Sequence, residues 1–386
     1  MISSFLKNYV KENQCTLLGA GPMSKNSVIA SVELSNYYNI PIMLISSRRQ
    51  IDCKEVGGGY VNNWDTLEYS KFVKSIDLSD NIILARDHGG PWQNSLEVKN
   101  NLNETEAMKS AKLSFKNDID AGFKVIHIDP SIDIYANPSI EIILDRVFEL
   151  YEYCWSYAKK TGKDICFEIG TEEQSGNTNS INQVEYTLSK IYDFCARNSI
   201  DPPTFYVAQT GTKVLELRNI GTFDFPFRVE NEIPAEIQIP KMVDICNKYD
   251  ILLKQHNTDY LSDSSLTWHP KLGIHSANIA PEFGVTESMA FYDILIQNNI
   301  GHLADQFLSI SYDSLMWEKW LIKDSEASDF DKSIIAGHYI FSQGNFIDLY
   351  SKAEGILLNK GINLERYLVE KIKLSITRYI TCFNLI

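Results

Sequence analysis

The chain has 386 residues, 44% of them hydrophobic and 22% charged, with a formal net charge of −14. These proportions exclude a disordered chain, and the acidic balance excludes sequence-independent nucleic-acid binding, which needs a basic surface to release counterions. No stretch approaches the run of about 20 apolar residues that spans a bilayer, and the opening MISSFLKNYVKENQ lacks the apolar core and cleavage site of a signal peptide.

Eight short runs rich in Ile, Leu and Val recur along the first 300 residues. They are TLLGAG (16–21), IPIMLISS (40–47), NIILARDH (81–88), KVIHIDPS (124–131), DICFEIGTE (164–172), TFYVAQTG (204–211), ILLKQHN (251–257) and KLGIHSAN (271–278). Most are continuous rather than alternating, as expected of strands covered on both faces. Segments such as SVIASVELSNYY, DTLEYSKFVKSI and IEIILDRVFELYEYCWSYAKK lie between them, with apolar residues at three- and four-residue spacing. Eight βα units predict a (β/α)8 TIM barrel over residues 1–300, with a doubly wound open sheet as the alternative. From residue 301 to 386 the strand signals stop and four amphipathic helices follow, a C-terminal extension that packs on the barrel or builds a homo-oligomer contact. The seven cysteines are scattered and form no CxxC, the usage of reduced thiols in a cytoplasmic protein.

Catalytic residues of a barrel come from the carboxyl ends of its strands, and these ends are unusually polar. The third run ends in Asp87-His88, the fourth in Asp129-Pro130-Ser131, and the fifth in Glu168 followed by Gly170-Thr171-Glu172. The sixth ends in Gln209-Thr210, the seventh in Lys254-Gln255-His256, and the eighth carries His275, Ser276 and Asn278. Two roles suit such a set. His88, His256 and a carboxylate such as Glu172 are candidate ligands for a divalent metal, most naturally Zn²⁺, that polarises a carbonyl. His275 and His269 compete for that role, whereas the alternation aims His127 away from the mouth or into the core. Asp87, beside a ligand, is the candidate acid–base residue, with capping of the Gly89-Gly90 turn as the rival reading. Asp129 is either a second carboxylate or a loop cap.

No P-loop or dinucleotide fingerprint occurs. GAGPMSK (19–25) leads into a helix and brings Lys25 to a place where an anion can be met, or is a plain βα turn. Arg48, Arg49 and Lys254 are the candidate donors for a phosphate or carboxylate, with a solvated arginine pair as the alternative. Gln209, His275 and Asn278 are further candidate substrate contacts. EVGGGYVNNWD (55–65) is a glycine-rich loop with an aromatic, resembling a mobile lid or a substrate-contacting loop.

Several segments together resemble the class II tagatose-bisphosphate aldolase family of the "non-catalytic" Z-subunit type. They are SSRRQIDCKEVGGGYVNNWDTLEYSKFV, ILARDHGGPWQN, HIDPSID, FEIGTEEQSG and LLKQHNTDYLSDSSLTWHPKLGIHSANIAPEFGVTE, in family order over roughly residues 15–300. More distantly, the chain is similar to catalytic class II ketose-bisphosphate aldolases and to a tagaturonate/fructuronate epimerase. The resemblance implies a TIM barrel, ketose substrates and divalent-metal chemistry. It also implies Asp87 as proton-transfer residue, His88 and His256 as ligands, and Glu172 where those aldolases have a histidine. The expected function is a metal-dependent lyase of carbohydrate metabolism acting on a ketose or ketose phosphate. Cleavage and C4-epimerisation by retro-aldol chemistry are two outcomes of one site. The alternative is a non-catalytic subunit that stabilises an aldolase complex.

Overall fold

Every one of the eight apolar runs forms a strand. The computed structural model describes residues 1–171, 178–224 and 234–386. In chain order the strands are β1 (Leu17–Ala20), β2 (Ile42–Ser47), β3 (Ile82–Gly89), β4 (Val125–Ile128), β5 (Cys166–Ile169) and β6 (Phe205–Val207). A two-residue antiparallel ribbon, β7 (Val214–Leu215) with β8 (Arg218–Asn219), precedes β9 (Leu252–Gln255) and β10 (Ser276–Ile279). All barrel pairings are parallel, and the order β1-β10-β9-β6-β5-β4-β3-β2 closes on itself. This is the expected (β/α)8 TIM barrel.

The helices of the barrel half are α1 (Ile2–Asn13), α2 (Lys25–Tyr38), α3 (Thr66–Ile76), α4 (Ser95–Lys99), α5 (Glu104–Ala121), α6 (Ile140–Thr161) and α7 (Ile181–Asn198). They continue with α8 (Ala235–Lys248), the short α9 (Asp263–Leu266) and α10 (His269–Leu272), and α11 (Pro281–Gln297). Local chemistry sets their ends. Ser24, Asp65, Asn103 and Ser180 each accept a backbone N–H in a capping box, while Gly122 and Gly162 end α5 and α6 in the left-handed conformation.

The period-two alternation of the strands sorts side chains into two shells. Leu18, Leu44, Leu84, Ile126 and Phe167 point out and pack under the helices. Leu17, Met43, Ile45, Ile83, Val125, Cys166, Phe205 and Leu252 point in and form an apolar layer plugged from below by Leu6 and Val10 of α1. Further along the strands, in the same phase, that layer gives way to Asp87, His127, Glu168 and Lys254, joined by Asn278 of β10, all buried. The polar layer lies where the strands end.

The remaining helices are α12 (Gly301–Asp313), α13 (Asp329–Ile340), α14 (Gly344–Leu358) and α15 (Leu364–Cys382). Phe291 of α11, Leu303, Phe307, Ile334, Leu349 and Leu357 make a second apolar cluster. α15 behaves differently. Its Val369, Ile372, Ile376 and Tyr379 belong to the main core, it lies beside α2, and Phe383 O accepts a hydrogen bond from Thr16 N at 3.0 Å. All seven cysteines are free and six are buried. Among the described residues no helix is long and apolar enough to cross a membrane.

Candidate active site

Three imidazoles and three carboxylates converge at the top of the barrel. Asp87 ends the inward row of β3, His127 that of β4, Glu168 that of β5 and His256 that of β9. His127 and Glu168 are direct register partners, so they rise side by side. His127 Nδ1 lies 3.5 Å from both Asp87 Oδ1 and Glu168 Oε1, and His256 Nε2 lies 3.0 Å from Glu168 Oε1 and 3.7 Å from Asp87 Oδ1. Asn278 Nδ2 donates to Asp87 Oδ1 at 3.2 Å. Below them Lys254 Nζ donates to Glu168 Oε2 at 2.5 Å.

His88 stands at the rim with its side chain 39% exposed. The β3–β4 register shifts between Arg86 and Gly89, and His88 has φ of 44°, a left-handed conformation that a non-glycine residue seldom adopts. That bulge turns the ring toward the cluster and lets His88 N donate to His127 Nδ1 at 3.1 Å. Strain of this kind persists where its surroundings over-determine it. Here Asp129 Oδ2 holds His88 Nδ1 at 2.7 Å, and Asp129 in turn accepts from Gln93 Nε2 at 3.2 Å and Ser131 Oγ at 2.6 Å. Close approach also sets the glycines. A Cβ on Gly170 would lie 2.6 Å from His127 Nε2, and one on Gly19 would lie 2.2 Å from Asn278 Oδ1.

The charges are strongly coupled. Burial works against ionised Asp87, but the His88, His256 and His127 imidazoles outweigh it and hold the carboxyl well below the usual carboxylate range. Burial likewise opposes ionised Glu168 and Asp129, yet Lys254 and the imidazoles hold Glu168 at about 2, and His88 holds Asp129 at about 2. His88 faces the converse balance. Burial disfavours its cation, and the carboxylates of Asp87, Asp129 and Glu168 override it and raise the ring to about 9. His256 is pushed down, burial being the larger influence.

These residues fit a divalent cation. His88, His127 and His256 offer a first set of mutually close ligand atoms, and Asp87, His127, Glu168 and His256 a second. The buried His127 Nε2 has no hydrogen-bond partner among the described residues. Carboxylates that draw a proton onto His88 supply the field that a metal ion answers, and imidazole with carboxylate is a borderline donor set.

Residues 24–198 match the family model described as D-tagatose-1,6-bisphosphate aldolase subunit GatZ/KbaZ-like. That stretch is under half of the chain, and the match is a similarity to that family. The whole chain is similar in fold to a crystal structure of a probable tagatose 6 phosphate kinase from Sinorhizobium meliloti 1021. That likeness covers 95% of this chain and 100% of that one, with a TM-score of 0.69 at 14% identity. A fructose-bisphosphate aldolase from Campylobacter jejuni is similar over 99% of this chain and 94% of that chain, with a TM-score of 0.52 at 12% identity. At these identities the likeness to both concerns the fold.

The matched stretch carries Asp87, His88, His127, Asp129 and Glu168, while Lys254, His256 and Asn278 come to the site from beyond it. Of the residues singled out in the sequence, Asp87, His88, Asp129, His256 and Asn278 meet in this cluster, and Glu172 lies outside the described residues. Lys254 is at the site but turned inward onto Glu168, not outward as a free donor. Arg48 is also not free. It is 1% exposed and paired with Asp52 at 2.9 Å and Glu97 at 2.7 Å. His275 precedes β10, at the opposite end of the barrel from Asp87, where its Nδ1 accepts from Leu253 N at 2.9 Å. Lys25 bridges to Glu365 at 2.8 Å, and the N-terminus of α2 is met by the Glu287 carboxyl, which accepts from Ser24 and Asn26. Gln209, Ser131 and Thr171 line a cleft of about 880 Å³ beside Asp129. Arg49 remains exposed at the rim.

His127 and Glu168 are the members that sequence reasoning missed as site residues. The alternation expected to turn His127 away from the mouth instead brings it in, since it stands two residues before Asp129 and shares that residue's face. Glu168, which precedes the expected Glu172, belongs to the site, because the same parity rule carries it into the barrel beyond Cys166.

Proposed function

We propose that the chain is a divalent-metal-dependent enzyme of the class II aldolase type, acting on a ketose or ketose phosphate. Its reaction is either cleavage of a carbon–carbon bond or C4-epimerisation through retro-aldol cleavage and recombination. The observation that carries this reading is the convergence of Asp87, His127, Glu168 and His256 within a buried layer, with His88 turned into it by a strained backbone. When bound by these residues, a divalent ion (Zn²⁺ is the best match to imidazole with carboxylate) supplies Lewis acidity toward a substrate carbonyl oxygen.

The chain's own groups then have distinct tasks. Asp87 accepts the proton of the hydroxyl β to the carbonyl. The oxygen's electron pair becomes the new carbonyl, and the bonding pair of the broken carbon–carbon bond passes to the ketose fragment as an enediolate. Asn278 fixes the Asp87 carboxylate for that transfer. Asp129 sets the orientation of the His88 ring, and Lys254 keeps Glu168 an anion in a buried site. If both fragments stay bound, rotation of the aldehyde before recombination inverts the hydroxyl-bearing carbon. Fragment release gives a lyase and fragment retention an epimerase.

Metal analysis of purified wild-type protein and of His256→Ala, followed by assay of a ketose-phosphate panel scored for fragments and for epimers, tests this reading. Stoichiometric metal in the wild type, lost in the variant, supports it. Absence of stoichiometric metal from both ends it. The description of the matching family as an aldolase subunit favours one second reading, a non-catalytic chain that stabilises a catalytic partner. On that reading the complex would keep full activity after Asp87→Ala.

A further inference from the structure

Arg49 and Lys319 come from distant parts of the sequence to one side of the barrel rim, linked through Tyr60 and Tyr339. Arg49 lies in the turn that follows β2, two residues beyond Ser47, the register partner of Asp87, so it stands at the same end of the barrel as the acid–base cluster. Its carbonyl accepts Tyr60 N at 3.1 Å, which folds the glycine-rich loop back over the rim. The C-terminal helices are tied to that loop. Ser342 Oγ donates to Tyr60 O at 2.8 Å, and the Tyr60 and Tyr339 rings are 4.9 Å apart. Lys319 Nζ lies 4.6 Å over the Tyr339 ring and 5.3 Å over that of Trp320.

Both cations are exposed, and among the described residues neither forms an ion pair. Arg48, one residue earlier, is fully paired, and the protein carries 50 acidic residues against 36 basic ones. Arg49 and Lys319 thus stand on one wall without a carboxylate between them among the described ion pairs, near enough for the charge of one to act on the other. Burial of the ammonium against the two rings and, after it, the charge of Arg49 pull Lys319 down to about 8. An anion between them would relieve that repulsion. The same wall holds His338, whose ring is 4.1 Å from that of Tyr339 and whose two buried nitrogens have no hydrogen-bond partner among the described residues.

We propose that Arg49 and Lys319 form an oxyanion subsite for the far end of an open-chain sugar, a phosphate ester or a carboxylate, whose carbonyl end lies at Asp87 and His256. The position of the carbonyl end rests on the aldolase-type reading above; the subsite itself does not. Arg49 offers two donors in a plane and Lys319 a point charge, the combination suited to a tetrahedral or planar oxyanion. The helical C-terminal segment would then take part in choosing the substrate.

Calorimetric titration of the full chain with inorganic phosphate, and separately with D-gluconate, tests the subsite without requiring turnover. The expected result is saturable binding of at least one of them by the wild type. Arg49→Ala and Lys319→Ala should each weaken it about tenfold or more, with Arg49→Lys in between. Preference for phosphate or for gluconate names the source of the oxyanion. Both side chains are exposed, so unchanged melting temperatures will separate loss of binding from loss of fold. Absence of saturable binding by the wild type, or equal binding by the alanine variants, overturns the subsite whatever the metal content. Intact binding in a protein without stoichiometric metal overturns only the aldolase-type reading.

Discussion

Lys254 Nζ and Glu168 Oε2 are 2.5 Å apart at the centre of the barrel, with both side chains 1% exposed. A buried pair like this is costly to break from one side, because the survivor is left charged in a low-dielectric interior. Lys254→Met is expected to destabilise the protein by ~3–5 kcal/mol. Adding Glu168→Gln should restore more than half of that loss. Urea unfolding midpoints of the two variants would show it. A double variant no more stable than the single one would mean that the lysine acts through packing and not through charge.

Asp87→Asn keeps the shape and the Asn278 contact but removes the proton acceptor. Turnover on any accepted ketose substrate should fall by about 10²–10⁴-fold, with little change in melting temperature. Activity within threefold of wild type would assign the proton transfer elsewhere, with Asp129 the next carboxylate to test.

Chelation should lower stability as well as activity, since a ligand that binds only the folded state stabilises it by mass action. At a metal concentration 100 times the dissociation constant the shift is ~2.7 kcal/mol. Scanning calorimetry with and without chelator should reveal it in the wild type, and His256→Ala should behave as the chelated wild type in both scans.

A separate pH effect arises away from the site. Burial raises the Glu287 carboxyl to about 7 despite hydrogen bonds from Ser24 and Asn26, and burial with the Glu282 charge raises Asp259 to about 7. Both folded values lie above the unfolded ones, so the stability these acids contribute is complete at low pH and is lost as pH rises through about 7. Wild type should lose ~2–3 kcal/mol relative to Glu287→Gln between pH 5 and pH 8.5. Parallel stability profiles for the two proteins would contradict this.

Gly170→Ala introduces a methyl 2.6 Å from His127 Nε2 and 3.3 Å from its Cε1. Overpacking of this kind costs about 1–3 kcal/mol, and the imidazole must swing to accommodate it. Weaker metal binding with the fold retained is the expected pattern, read by competition with a chromogenic chelator.

Much of the fold is legible in the sequence because apolar runs and helix periodicity are strong signals, and each of the eight barrel strands coincides with one of those runs to within a residue at its carboxyl end. The site was harder. Asp87, His88 and His256 announce themselves as polar residues at the ends of apolar runs. His127 sits within such a run, and only the correct phase of a two-residue period shows that it faces the barrel axis. Arg48 and Arg49 are adjacent and identical in composition, yet one is buried against Asp52 and Glu97 while the other reaches solvent. Part of that difference comes from Glu97 and the Gly90 carbonyl, 40 or more positions away, which have no local signature. The inward turn of Lys254 has the same origin, a partner 86 residues earlier.

The place of α15 bears on how the protein is made. The helix beside α2 that shares the main core comes more than 80 residues after the last barrel strand. On a ribosome, which delivers the chain from its N-terminus, the apolar faces of α2 and its neighbours wait for Val369, Ile372 and Tyr379 to emerge. Until then the half-built molecule exposes a sticky seam, and this interval is when a chaperone has most reason to hold it.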